Sequence, residues 1–277
     1  MSPTAVAQDL TDEALARLKD APNARAGAIS ASLLRHLHAF VREARPTMEE
    51  WFVAIDFLTR TGQICSDTRQ EFILLSDVFG VSMLVELINN EQIHAATSNT
   101  VLGPFFVAGQ AVLPMGASIL RREEPGAPLL IHGVVRDVRG EPVRGARIDV
   151  WQTAPNGLYD TQDPSAPPGH LRGAFVTGED GRYAVRTVRP TRYPIPEDGP
   201  VGQWLAAVGR HPWRPAHTHF LIQKDGLRTL TTHLFMDGDE YLNSDAVFGV
   251  RPDLIIRPVE GPGGQEAHVD FGLRDAP

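Results

Sequence analysis

The chain has 277 residues, a formal net charge of -8 from 34 acidic and 26 basic side chains, and a single cysteine, Cys65. One cysteine permits neither an internal disulfide nor a cysteine-built zinc site. The acidic balance argues against nucleic acid as a partner, because the Arg and Lys clusters are broken by acids and prolines.

The start, MSPTAVAQDLTDEALARLKD, lacks the basic residues and continuous apolar run of a secretory signal, and no stretch reaches membrane-spanning length. A cytoplasmic protein without membrane insertion is expected. Up to about residue 95 the pattern is helical. A helix is predicted around ASLLRHLHAFVREA. In PTMEEWFVAIDFLTRTG, Thr47 and Glu50 form a capping box, Trp51, Ile55 and Leu58 recur at helix spacing, and Gly62 is the expected stop. SDTRQEFILLSDVFGVSMLVELINN repeats the logic, with Asp67 as cap and Gln70 three residues on.

From about residue 100 prolines and glycines separate short runs rich in Val, Ile, Thr and aromatics: LLIHGVVRD, ARIDVWQT, GAFVT, GRYAVRTV, HTHFLIQ and TLTTHLF. Asp180-Gly181 between GAFVT and GRYAVRTV reads as a hairpin turn, since Gly tolerates positive φ. EGPGGQ near the end reads as a loop. The expected fold is mostly β, an antiparallel β-sandwich or barrel preceded by helices.

RPAHTHF, residues 214–220, places His217 and His219 on one face of a strand and Thr218 on the other, because side chains alternate with a period of two. Such a pair can chelate one ion; equally, one histidine can be a hydrogen-bonded core residue and the other a surface residue. His36 and His38 share the spacing in a helical segment, where residues two apart do not face each other, and are assigned to structure. A zinc site would need a further ligand, for which His211 and His233 are candidates. Of four tyrosines, Tyr159 and Tyr193 fall in polar, irregular segments, whereas Tyr183 reads as a strand residue and Tyr241 as a half-buried loop residue. A phenol ionises near pH 10, so a tyrosinate ligand needs a strongly Lewis-acidic ion such as ferric iron. Taken singly, each tyrosine is better explained by packing than as a ligand.

Five motifs together carry a resemblance: GPFF at 103–106, DVWQTAPNGLYD at 149–160, RYPIPEDGPVG at 192–202, RPAHTHF at 214–220 and GDEYLNSDAVFGV at 238–250. In this order they resemble the intradiol ring-cleavage dioxygenases, over most of the chain. The resemblance implies an antiparallel β-sandwich catalytic domain at 101–277 and an N-terminal α-helical dimerisation domain at 1–100. It implies one Fe(III) per subunit held by Tyr159, Tyr193, His217 and His219, with Arg214 beside the bound ring stabilising negative charge. Tyr193 would leave the metal to take a substrate proton. The family's catechol-specific members usually carry Gln where this chain has His233, and SDAVFGV follows as in hydroxyquinol-cleaving members, so the implied substrate is hydroxyquinol (benzene-1,2,4-triol). With O2 this would give 3-hydroxy-cis,cis-muconate and maleylacetate.

By the same match the pocket walls would be Leu74, Asp77, Val101, Leu102, Gly103, Pro104, Ala246, Val247 and Phe248. Asp77 would accept a hydrogen bond from the third hydroxyl, or else face solvent on its helix; His233 would hydrogen-bond Arg214 or the ligands, or else simply pack. The family's helical part pairs subunits into a homodimer, in some members around a phospholipid. LLRHLHAFV and FILLSDVFGVSMLVELI carry apolar residues enough for such an interface or for an internal core. Competing readings are a catechol or chlorocatechol 1,2-dioxygenase, a zinc hydrolase, and a non-enzymatic prealbumin-like β-sandwich binding module, the last two colourless.

Overall fold

The computed structural model describes residues 3–67, 69–90 and 96–276. The chain divides into two compact units, 1–60 and 61–277. In the first, α1 (Pro3–Ala16) and α2 (Ala24–Ala44) precede α3 (Met48–Gln63), which runs across the boundary. Helix α2 starts where the Asn23 side chain accepts from the Ala26 amide and stops at Arg45, whose φ of 49° ends helical hydrogen bonding. Thr11 of α1 lies 3.0 Å from His38 Nδ1 and accepts from Arg42 of α2. The capping box holds: the Thr47 amide donates to Glu50 and the Glu50 amide to Thr47 Oγ1. Gly62 does not stop α3, and α1 carries no signal that the sequence pattern had picked out. Leu33, Leu37, Phe40, Trp51, Phe52 and Val53 remain exposed on these helices.

In the second unit the helical run expected after Asp67 starts later and breaks. Helix α4 (Glu71–Val78) has Gln70 at its N-cap without a side-chain bond, and Gly80, at φ 71°, separates it from α5 (Val81–Asn89). Only glycine adopts that left-handed conformation without strain. The Phe248 ring packs 3.2 Å from where a Gly80 side chain would begin.

The strands form two five-stranded sheets, and both are mixed, not purely antiparallel. In the first, β1 (Pro128–Asp137) pairs antiparallel with β4 (Arg182–Val188), and parallel first with β11 (Gly264–His268) and then with β12 (Phe271–Leu273). The EGPGGQ loop is in fact a hairpin, joining β10 (Val259–Gly261) to β11. The second sheet has the order β3 (Arg172–Val176), β2 (Arg147–Trp151), β7 (His217–Gln223), β8 (Leu230–Met236), β9 (Ile255–Ile256), antiparallel except for β8 with β9. Two short strands, β5 (Tyr193–Pro194) and β6 (Trp213–Arg214), pair with each other, and α6 (Pro200–Ala207) lies between them in sequence.

The predicted Asp180-Gly181 hairpin is not one. Gly181 does turn the chain at φ 68°, but β3 and β4 belong to different sheets. The Gly181 carbonyl accepts instead from Val135 of β1. Burying both apolar faces outweighs the local turn preference. Ile148, Val150, Phe220, Ile222, Leu230 and Leu234 of the second sheet join Leu129, Ile131, Val135, Val185 and Phe271 of the first in one buried cluster. Residues of the alternate set on the second sheet, Trp151, His217, His219 and His233, therefore point away from that core.

Candidate metal centre

Strand β7 sets the first two donors. His217, Thr218 and His219 are all buried; Thr218 Oγ1 donates to Gln152, while the Nε2 atoms of His217 and His219 stand 3.2 Å apart. Period-two alternation thus puts both imidazoles on one face. His217 donates from Nδ1 to the Pro215 carbonyl at 2.6 Å, which fixes the tautomer with its lone pair on Nε2. Trp151, directly opposite His219 in the ladder, stacks on it at 4.6 Å between centroids.

The tyrosines arrive from separate places. Tyr159 follows β2 in a loop whose turn at Gly157 (φ 81°) packs against Tyr193 Cβ. Tyr193 comes on β5, opposite Arg214 of β6. The Tyr159 hydroxyl donates to Tyr193 Oη at 3.0 Å and stands 2.7 Å from His219 Nε2. Four donor atoms from three segments therefore lie 2.7–3.2 Å from their neighbours. Atoms sharing one ion at metal-ligand bond lengths of about 2.0–2.2 Å stand about 3 Å apart, so the set fits a cation.

Electrostatics agree. Burial pushes the Tyr159 phenol well above its ordinary value, aided by Tyr193, with Arg214 and Arg172 opposing. Burial, then Arg214, hold His217 well below the usual imidazole range; for His219 burial is followed by His233 and His217. Neutral imidazoles are ready ligands, and phenols buried this way ionise only against a strong positive charge. His219 Nδ1 and His233 Nε2 are buried without a hydrogen-bond partner.

Arg214, 3 % exposed, closes the site. Its Nη1 reaches His217 Nε2 at 3.1 Å and Tyr193 Oη at 3.5 Å; its Nη2 lies 3.4 Å from His233 Nδ1. His233 shares β8 with Phe235 and meets Thr100 Oγ1 at 3.0 Å through the same Nδ1. The ligand atoms of His217, His219 and His233 lie within 4.8 Å of one another, a looser set than the two tyrosines and two histidines. His211 is elsewhere, against Tyr241 and accepting from the Trp213 amide.

The wall residues gather from three segments. Leu74, Val101, Ala246 and Val247 share one apolar cluster with Ile195, Val201 and Leu205. Gly103, at φ 75°, brings its backbone within 3.6 Å of the His219 ring, counted from where a side chain would start. Pro104 and Leu74 line a cleft of about 450 Å³ with Phe105, Leu158 and Pro196. Leu102 and Phe248 are exposed, at 40 % and 52 %. Asp77 is not solvent-facing: it is 2 % exposed, and burial pushes its carboxyl up to about 6, against a hydrogen bond from Ser82 and the charge of Arg214.

Two buried charges beside the site, Arg172 and Asp245, carry no signal in the local sequence pattern. Arg172, 1 % exposed, pairs with Asp160, donates to the Phe105 carbonyl at 2.6 Å, and lies 5.8 Å from the Tyr159 ring centre, while Phe105 stacks on that ring at 4.5 Å. Asp245, between the histidines' sheet and the wall segment 246–248, holds Arg214 through Nε at 3.0 Å. Asp245 lies inside the GDEYLNSDAVFGV motif, but nothing in its spacing pointed to an arginine 31 residues away.

Two family models match the chain: "Dioxygenase" over residues 101–274 and "Catechol dioxygenase N terminus" over residues 23–97. The chain is 50% identical to the 6-chlorohydroxyquinol 1,2-dioxygenase of Cupriavidus pinatubonensis, covering 91% of this chain and 92% of that protein. It is 52% identical to the hydroxyquinol 1,2-dioxygenase of a Rhizobium species, covering 87% and 82%. The crystal structure of hydroxyquinol 1,2-dioxygenase from Pseudomonas putida superposes with a TM-score of 0.90 at 47% identity, over 99% of this chain and 100% of that one.

Proposed function

The chain belongs to the intradiol ring-cleavage dioxygenases, an iron-dependent family, and on that premise we propose that it cleaves hydroxyquinol with O2 to 3-hydroxy-cis,cis-muconate, which tautomerises to maleylacetate. The bond between the two hydroxylated ring carbons breaks, and each new carboxylate receives one oxygen atom of O2. The observation that carries the reading is the convergence of Tyr193, Tyr159, His219 and His217, each within hydrogen-bonding distance of the next, in a buried site.

Those four side chains would hold one Fe(III) per subunit: two hard phenolates offset most of a trivalent charge, and two neutral imidazoles complete the set. Bound there, ferric iron supplies Lewis acidity toward both oxygens of the diol and electron exchange between ring and O2. The protein's own part begins with the tyrosines. The Tyr159 ring stacks on Phe105 and has the Arg172 guanidinium 5.8 Å from its centre, whereas Tyr193 sits on a two-residue strand. By the family resemblance Tyr193 is the phenol that would be released, its Oη accepting one diol proton. Arg214 Nη1, aimed at the donors, stabilises negative charge growing on the ring, as a fixed guanidinium in a dry site does. His233 steadies Arg214 from behind.

Leu74, Val101, Leu102, Gly103, Pro104, Ala246, Val247 and Phe248 form the ring's walls in this reading. Asp77 selects the triol: a carboxylate buried beside the ring gains a hydrogen bond from the third hydroxyl that catechol cannot offer. Residues 1–100 would act as a dimerisation domain before a β-sandwich catalytic domain at 101–277; the seam between the two matched segments and the exposed apolar helices support this. A homodimer with a phospholipid in its interface, in the cytoplasm, completes the proposal.

The test is spectroscopic and kinetic. Purified protein should be red-brown from phenolate-to-iron charge transfer, carry iron, and cleave hydroxyquinol faster than catechol or chlorocatechols. A colourless, iron-free but active preparation would remove the metal assignment, and faster turnover of catechol would remove the substrate.

A further inference from the structure

A guanidinium beside a highly charged cation is an unfavourable neighbour. Arg214 is buried, and its Nη1 touches two of the four candidate donors, His217 at 3.1 Å and Tyr193 at 3.5 Å. Left without a counter-ion, such a group would take the tyrosinates as its partners and compete with the metal for them. Asp245 prevents this by geometry. Its Oδ1 accepts from Arg214 Nε at 3.0 Å and its Oδ2 lies 3.3 Å from Nη2, a two-point contact that leaves only Nη1 facing the donors.

The carboxylate is itself fixed. Asp245 accepts from the amides of Val247 at 3.3 Å and Gly249 at 2.9 Å. Gly249 leaves no slack, since a side chain there would start 3.0 Å from Arg214 Nη2 and 3.2 Å from Asp245 Oδ2. The other nearby carboxyl, Asp77, is engaged with Ser82 and is pushed up to about 6 by burial, which makes it a poor substitute.

We infer that Asp245 is a positioning residue with an electrostatic role. It cancels the charge of Arg214 so that a guanidinium and a trivalent cation can occupy one dry site, and it ties Arg214 to the pocket segment 246–248. This rests on the iron reading above. With two tyrosinates the metal centre carries a net charge of +1; Arg214 alone would make it +2, and Asp245 returns it to +1.

Iron retention, measured by elemental analysis and visible absorption after exposure to a mild chelator, tests this in four proteins: wild type, Asp245→Asn, Arg214→Gln and the double variant. Asp245→Asn should hold iron about 10–100-fold more weakly than wild type, the range for losing an outer partner of a metal site. Arg214→Gln should retain iron, and adding it to Asp245→Asn should restore retention, because no charge is then stranded. Asp245→Asn holding iron as firmly as wild type overturns the inference. So does a double variant that loses iron, or fails to fold, as the single one does, since Asp245 would then act only through its backbone contacts. Wild-type protein without iron or colour would instead overturn the metal reading itself.

Discussion

Two histidine pairs in this chain share the spacing His-x-His and little else. On α2, His36 is exposed while His38 turns toward Thr11 of α1. On β7, His217 and His219 are both buried and bring their Nε2 atoms to 3.2 Å. A helix turns about 100° per residue, so neighbours two apart diverge; a strand turns about 180°, so they converge. The same spacing therefore makes either a surface contact or two jaws of a clamp, according to the backbone that carries it.

Breaking the strand pair should have the largest effect. His217→Ala is expected to abolish colour, iron content and ring cleavage together, measured by absorption, elemental analysis and oxygen uptake. Iron and colour at wild-type levels would detach β7 from the metal. Next comes Arg214→Gln, which touches the pair without belonging to it: turnover should fall by about 10²–10³-fold, the loss typical of one fixed charge-stabilising donor, while iron stays bound.

Asp77→Asn sharpens the comparison from the pocket side. Because burial raises the native carboxyl to about 6 from 3.8, the folded state holds its proton where the unfolded chain has lost it. Stability from this group is fully present below about pH 4 and is lost as pH rises through about 6. Asn has no proton to lose, so the variant should be the more stable above pH 7 by about 3 kcal/mol, each tenfold change in proton affinity being worth about 1.36 kcal/mol. The gain should vanish near pH 4 in denaturant titrations, and the preference for hydroxyquinol over catechol should shrink. The helix pair bounds the series from below. His38→Ala should cost about 1 kcal/mol through its contact with Thr11, and His36→Ala under about 0.5 kcal/mol, both with iron and turnover unchanged.

Much of the fold was legible locally. The six named strand runs all appear as strands, and the Thr47/Glu50 capping box forms as its spacing requires. The two tyrosines and two histidines named from motifs meet at one place. What failed did so where a local preference met a non-local demand. Gly62 lies within α3 instead of ending it, while Gly80, unremarked in an apolar run, divides two helices. Asp180-Gly181 turns the chain between sheets rather than within one.

By itself the sequence determined six of the extended segments, which face of β7 carries imidazoles, and which residue types are at hand for a hard cation, because all of these follow from alternation and from donor chemistry within a few residues. The tertiary structure alone decided the parallel pairing of β1 with the C-terminal strands, and the partnership of Arg214 with Asp245 and of Arg172 with Tyr159. Those arrangements join positions far apart in the chain. They are selected by the need to bury apolar faces completely and to give every buried charge a partner, conditions that no short window of sequence contains.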